Sequence, residues 1–322
     1  MNTLSIKKNT LINFFALLGA IAYGFIVVAS LQRLFLLDSG DVNDLVDFFE
    51  EMQGADAIAL YGLVGDGLFR FAIIFLAAQL EAEVIDVLGY IAFTISLICF
   101  WICAVNIKSS NNLIYILPLF LMIFLSQNVV NLFASGIRSG IAFTILIIAI
   151  NHRNAVIKFI LFGLSSLFHL SMIPIISIYI LFYILQDRRI NASLQSYYFL
   201  LILYSFSITI LAYITQYNVT NVNSSFLLNF LTFCLALLIL FTSKKAISNV
   251  FGFMSIGVIL IVIAGNIIDL SFSRYTGNAL FFYLLFLTKE SNLSNIKVFS
   301  LGFAPYFAIT TLFSLFNLLY FI

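Results

Sequence analysis

Arg138 and His169 are the two residues whose types and positions invite a chemical reading. They lie in the stretch NLFASGIRSGIAFTILIIAINHRNAVIKFILFGLSSLFHLSMIPIISIYILFY, from Asn131 to Tyr183. Arg138 opens one apolar run and His169 closes the next. A charged or titratable group at membrane depth is expensive to hold and usually lines the path of a substrate or ion. Arginine presents a rigid fork of donors that pairs with two phosphate oxygens at once, and it gives up its water more readily than lysine. Histidine binds phosphate when charged and moves a proton when neutral. Anion binding and proton transfer are therefore the chemistries on offer. The plainer reading of His169 is a helix-end imidazole bonded to backbone.

The elements that carry these residues follow from composition. The chain has 322 residues, 63% of them hydrophobic and 9% charged, with a mean hydropathy of +1.13. Soluble domains carry about 25% charged residues. Apolar runs of spanning length recur from end to end. The expected fold class is an all-α, polytopic integral membrane protein, with residues 1–322 forming a single transmembrane domain. A net charge of +1 implies no acidic or basic partner. Lys7 and Lys8 precede an apolar run at 11–31 that is too long for a signal-peptide core, so it is read as a retained first span. Cys99, Cys103 and Cys234 lie inside apolar runs and lack metal-ligand spacing. No phosphate-loop, kinase, zinc-protease or nucleic-acid motif occurs, so neither a cofactor nor a nucleic-acid partner is expected.

Apolar runs fall at about 11–31, 84–106, 113–133, 137–150, 155–169, 171–186, 194–214, 225–242, 246–267, 275–288 and 298–320. A further run at 57–80 is poorer, since it holds Asp66, Arg70 and three glycines, Gly62, Gly65 and Gly67. The positive-inside rule decides its status. If 57–80 does not span, Lys7, Lys8, Lys108, Arg153, Lys158, Arg188, Arg189, Lys244, Lys245, Lys289 and Lys297 all face the cytoplasm. These are 11 of the 15 basic residues and include every lysine. If it does span, nine of those 11 move outside. The expectation is about eleven spans with the N-terminus inside, and an amphipathic or re-entrant outer element at 57–80. The short spans at Arg138 and His169 are read as walls of a cavity open to the outside. The small residues of SGIRSG, Ser135 to Gly140, favour close helix packing there.

Under this topology residues 38–83 form an acidic extracytoplasmic region, with Asp38, Asp41, Asp44, Asp47, Glu50, Glu51 and Asp56. The spacing places Asp44, Asp47 and Glu51 on one helix face. That face is either a solvated surface or the source of a carboxylate base. Four arginines also fall outside: Arg33, Arg70, Arg138 and Arg274. The plainer reading of Arg33 and Arg70 is a side chain reaching to headgroups. Arg138 and Arg274 each open a span from the outer side, where free N–H groups and the helix dipole add to anion binding. Arg138 and His169 should reach the same depth on adjacent antiparallel helices.

The segment ASGIRSGIAFTILIIAI, a basic turn, and then ILFGLSSLFHLSMIPI resembles the EpsG/Wzy family of bacterial polysaccharide-repeat polymerases. Ile137–Arg138, Phe168–His169, Ser171 and Pro174 carry the likeness. Gly65–Asp66–Gly67–Leu68–Phe69, Ser273–Arg274–Tyr275 and Gly40–Asp41 resemble weaker family segments. Ser139 and Met172 depart from the family pattern, and Asp41 lacks the accompanying tyrosine.

The resemblance implies a glycosyltransferase of the bacterial cytoplasmic (inner) membrane. Its active site would face the periplasm or exterior. It would join polyprenyl-diphosphate-linked oligosaccharide repeats without a metal. The expected diphosphate-binding residues are Arg138, Arg274 and Arg70. The expected catalytic residues are His169, Asp41 and Asp66. The lipid bilayer, a flippase and a chain-length regulator are the implied partners. The competing classes are a proton-coupled transporter or channel, and a related glycan ligase or membrane acyltransferase. Transporters commonly carry inverted repeats and intramembrane carboxylates. Ligases usually carry one very long outer loop.

Overall fold

The computed structural model describes residues 2–36, 46–47, 56, 59, 66–108, 113–187, 194–214, 226–241, 244–267 and 273–289. All regular structure among the described residues is helical, so the chain is all-α as expected. The helices are α1 (Asn2–Leu36), α2 (Asp66–Leu80), α3 (Val84–Lys108), α4 (Leu113–Leu125), α5 (Gln127–Ala134), α6 (Ile137–Asn151) and α7 (Ala155–Phe168). They continue as α8 (Met172–Asp187), α9 (Leu194–Ile214), α10 (Phe226–Phe241), α11 (Lys244–Ser248), α12 (Val250–Ile267) and α13 (Ser273–Lys289). Among the described residues, two stretches are long and apolar enough to cross a membrane, Asn13–Leu36 and Val84–Asn106. The shorter apolar helices run 10–17 residues.

Helices α6 to α10 coincide with the apolar runs read from the sequence. Two runs differ. The stretch 113–133 is broken at Ser126, whose hydroxyl and N–H both bond to the Ile123 carbonyl, at 2.7 and 3.1 Å. Side-chain competition for a backbone carbonyl closes α4, and α5 restarts beyond it. The stretch 246–267 is broken at Asn249, whose Oδ1 accepts from the N–H groups of Phe251 (2.9 Å) and Gly252 (3.4 Å). Asparagine is a favoured N-cap, and here it starts α12. Gly252 is required at this corner, because a Cβ would overlap the backbone of Ala246. The acidic region at 38–65 lies almost wholly outside the described residues, and the run at 298–320 lies wholly outside them.

The contacts divide the chain into two compact units, residues 1–105 with 130–173, and residues 106–129 with 174–322. In the first unit α6 and α7 pack as a hairpin. The turn His152–Asn154 joins them, and Asn154 Oδ1 caps α7 by accepting from Val156 (2.9 Å) and Ile157 (3.3 Å). The Ser165 hydroxyl donates to the Ala142 carbonyl at 2.7 Å and fixes the register of the pair. Against α6 lies α3, where Cys99 Sγ sits 3.2 Å from Thr144 Oγ1. Gly140 lets this layer close, since a Cβ there would stand 2.8 Å from the Leu132 carbonyl oxygen and 3.0 Å from Ile95. The small residues of the Ser135–Gly140 motif thus serve close packing, as their spacing suggests.

In the second unit the α12–α13 hairpin is the core. Every side chain from Phe251 to Gly265 and from Tyr275 to Thr288 is buried. Burial on all sides suits elements surrounded by others. Helices α9, α10 and α11 pack on α12, and α4 packs on α13. Phe124 meets Phe281 edge to face at 5.0 Å. The Ser205 hydroxyl donates to the Gly257 carbonyl at 3.3 Å.

Candidate functional site

The register of the α6–α7 hairpin settles where Arg138 and His169 stand. Ser165 is bonded to Ala142 across the pair. Four residues beyond Ser165 is His169, and four residues before Ala142 is Arg138. Each step is about one helical turn, so both backbones reach the same level at the same end of the hairpin. Arg138 is the second residue of α6 and is half-buried. Its helix begins at Gly136, which offers no side-chain oxygen to the first-turn N–H groups. Those groups and the helix dipole favour an anion beside the guanidinium.

His169 is held more tightly. It follows the last residue of α7 with extended backbone, φ −154° and ψ 113°. Its N–H donates to the Ser165 carbonyl at 3.1 Å, and its own carbonyl accepts from Met172 at 3.0 Å, at the start of α8. The ring is 4% exposed. The Ser171 N–H donates to His169 Nδ1 at 3.1 Å. The Ser171 hydroxyl lies 2.6 Å from the same nitrogen. A backbone N–H can only donate, so Nδ1 carries a lone pair and the proton of the neutral ring is on Nε2. Ser171 therefore fixes the tautomer, and it makes His169 a hydrogen-bond donor through Nε2.

A cavity of about 370 Å³ lies in the same unit. It is walled by α2 and α3, with Ile141 from α6 and Phe168 from α7. Tyr90 and Thr94 are the only hydroxyl-bearing residues in its lining, and the Thr94 hydroxyl donates to the Tyr90 carbonyl at 2.8 Å. The basic residues are tied to this lining through the backbone. His169 follows Phe168, Arg70 follows Phe69, and Arg138 stands three residues before Ile141. Arg70 is half-buried on α2, with its Nη1 atom buried, and α2 packs against α7. An apolar cavity thus has three basic residues beside it in the chain.

The other expected site residues divide differently. Asp66 is the first residue of α2, one turn before Arg70. Arg274 is the second residue of α13, in the second unit. Asp41 lies outside the described residues. Cys99 and Cys103 are buried free thiols, and Cys234 is partly exposed. Among the described residues, no three His, Cys, Asp or Glu side chains stand together as a metal-binding group. Ser171 is the residue whose role the sequence reading missed. A hydroxyl two positions after a histidine at a helix junction was the available signal. The chain matches no family model, no curated protein and no solved structure.

Proposed function

We propose that the chain is a polytopic membrane glycosyltransferase. It would join polyprenyl-diphosphate-linked oligosaccharide repeats at the outer face of the bacterial cytoplasmic membrane. The observation that carries the reading is that Arg138 and His169 reach the same level at one end of the α6–α7 hairpin, whose Ile141 and Phe168 line an apolar cavity. A diphosphate on an isoprenoid needs this combination, a cation and further hydrogen-bond donors for the head and a greasy wall for the tail. Membrane residence is supported by large apolar side chains on outer helix faces, such as Phe25 at 63%, Phe159 at 71% and Phe199 at 65% exposed. Extended exposed apolar surface is rare on monomers in water.

In this mechanism the growing glycan is the donor. A sugar hydroxyl of the incoming repeat attacks the anomeric carbon, and the bond from that carbon to the diphosphate breaks. The diphosphate leaves with the electron pair, so stabilising its charge lowers the barrier. Arg138 and Arg70 supply that stabilisation. His169 donates from Nε2 to the same oxygens. The hydroxyl proton passes to a carboxylate, Asp66 or Asp41. His169 is the weaker choice of base, because acceptance at Nε2 would move its proton onto Nδ1 and break the bond from the Ser171 N–H.

Deletion of the gene tests the reading. The deletion strain should lose polymer and accumulate lipid-linked single repeats, and the wild-type gene should restore polymer. Unchanged polymer in the deletion strain would sink the proposal.

A further inference from the structure

The end of the α6–α7 hairpin opposite Arg138 and His169 carries basic residues of its own. The turn reads Asn151–His152–Arg153–Asn154, and Lys158 lies in the first turn of α7. Arg153 is exposed, and His152 and Lys158 are half-buried. The Asn154 N–H donates to His152 Nδ1 at 3.1 Å, while Asn154 Oδ1 caps α7. A backbone N–H can only donate, so the neutral imidazole of His152 keeps its proton on Nε2 and donates from there. No Asp or Glu occurs in the sequence between Asp86 and Asp187, so the hairpin brings no carboxylate of its own to these residues.

An apolar stripe starts at the same turn. Val156, Phe159, Ile160, Leu164 and Leu167 follow one another at three- and four-residue steps along α7, and all are exposed. Gly163 leaves an open notch within the stripe, with nothing within 4 Å of where its Cβ would stand. From Val156 to Leu167 the helix rises about 16 Å, close to half of the roughly 30 Å hydrocarbon core of a bilayer. The stripe therefore has the length of one acyl chain in one leaflet.

We propose that this turn and stripe bind one anionic phospholipid of the cytoplasmic leaflet. Arg153 and Lys158 hold the phosphate, His152 donates to it from Nε2, and one acyl chain lies along Val156 to Leu167. Charge selects the lipid, because a zwitterionic headgroup would bring a further cation to a basic turn. The positive-inside count puts the turn on the cytoplasmic side, where anionic lipids attract basic segments. The inference rests on membrane residence and on that orientation, and not on the transferase reading.

The test uses the full chain purified in a non-ionic detergent. Dioleoyl-phosphatidylglycerol or dioleoyl-phosphatidylcholine is titrated in, and bound lipid is counted by native mass spectrometry. Wild type should hold phosphatidylglycerol at least about tenfold more tightly than phosphatidylcholine. The double variant Arg153→Gln, Lys158→Gln should lose that preference and keep the wild-type unfolding temperature in lipid-free detergent. Should it not fold, Arg153→Gln alone should weaken the preference. The control Arg188→Gln, Arg189→Gln removes the same charge from another basic pair expected on the same side, and should keep the preference. Equal binding of the two lipids by wild type overturns the inference. So does an unchanged preference in the Arg153 variants, or an equal loss in the control. Displacement of phosphatidylglycerol by inorganic phosphate alone would assign the turn to a soluble anion instead. A cysteine at Ala155, in a chain with no other cysteine, that reacts with an impermeant reagent from outside overturns the leaflet. Recovery of the chain in the soluble fraction without detergent removes membrane residence itself, before any lipid is added.

Discussion

His169 turns Nδ1 toward Ser171, and this decides what its variants should do. A donor at Nε2 can be replaced in part by the amide of glutamine, so His169→Gln should retain activity within about tenfold of wild type. His169→Ala removes the donor and should lose about 100-fold, the scale of a lost oxyanion donor. Equal loss in both variants, measured as polymer formed from lipid-linked repeats, would show that a titrating nitrogen is needed. Arg138 permits a sharper comparison. Both Arg138→Ala and Arg138→Lys should abolish polymer at wild-type protein levels, because a point charge does not reproduce a two-pronged fork. Long polymer from Arg138→Lys would reduce the arginine to an interfacial anchor.

At the scale of the element, the α6–α7 hairpin contains its own control experiment. Gly140 faces the Leu132 carbonyl, where a Cβ would stand 2.8 Å away, whereas Gly163 on α7 has nothing within 4 Å. Backbone cannot step aside as a flexible side chain can. Gly140→Ala should therefore destabilise the protein by about 1–3 kcal/mol, as overpacking does. Gly163→Ala should stabilise it by about 0.5–1 kcal/mol through helix propensity alone. Thermal unfolding of the two purified variants checks the pair. Opposite signs are expected, and a stabilising Gly140→Ala would mean that α5 and α6 are not packed as described. The first unit would then lose the support that holds Arg138 at the level of His169.

At the scale of the whole molecule the orientation of α2 matters most. Its 15 residues make about 22 Å of helix, short of the roughly 30 Å of a bilayer core. Helix α6 has the same length, yet the charge count treats it as a span. Length does not separate the two, and the distribution of lysine does. Single cysteines at Met52 and Ala82, in a protein whose Cys99, Cys103 and Cys234 are replaced by alanine, should both react with an impermeant thiol reagent from outside. Labelling at 52 alone would show that α2 crosses, and most lysines would then face outward.

The sequence alone determined the all-α class and most helix bounds, because long apolar runs edged by charge leave a chain few other structures. It also determined that Arg138 and His169 reach the same end of the α6–α7 hairpin, since a short polar turn at His152–Asn154 forces two runs of like length to fold back on each other. The breaks at Ser126 and Asn249 were not legible. Serine and asparagine end a helix only where their side chains capture a backbone group, and composition does not reveal which ones do. The tautomer of His169 likewise came from one backbone N–H, that of Ser171. The apolar cavity belongs to the tertiary structure alone. It is defined by what neighbouring helices leave unfilled, and sequence spacing within one helix carries no record of that.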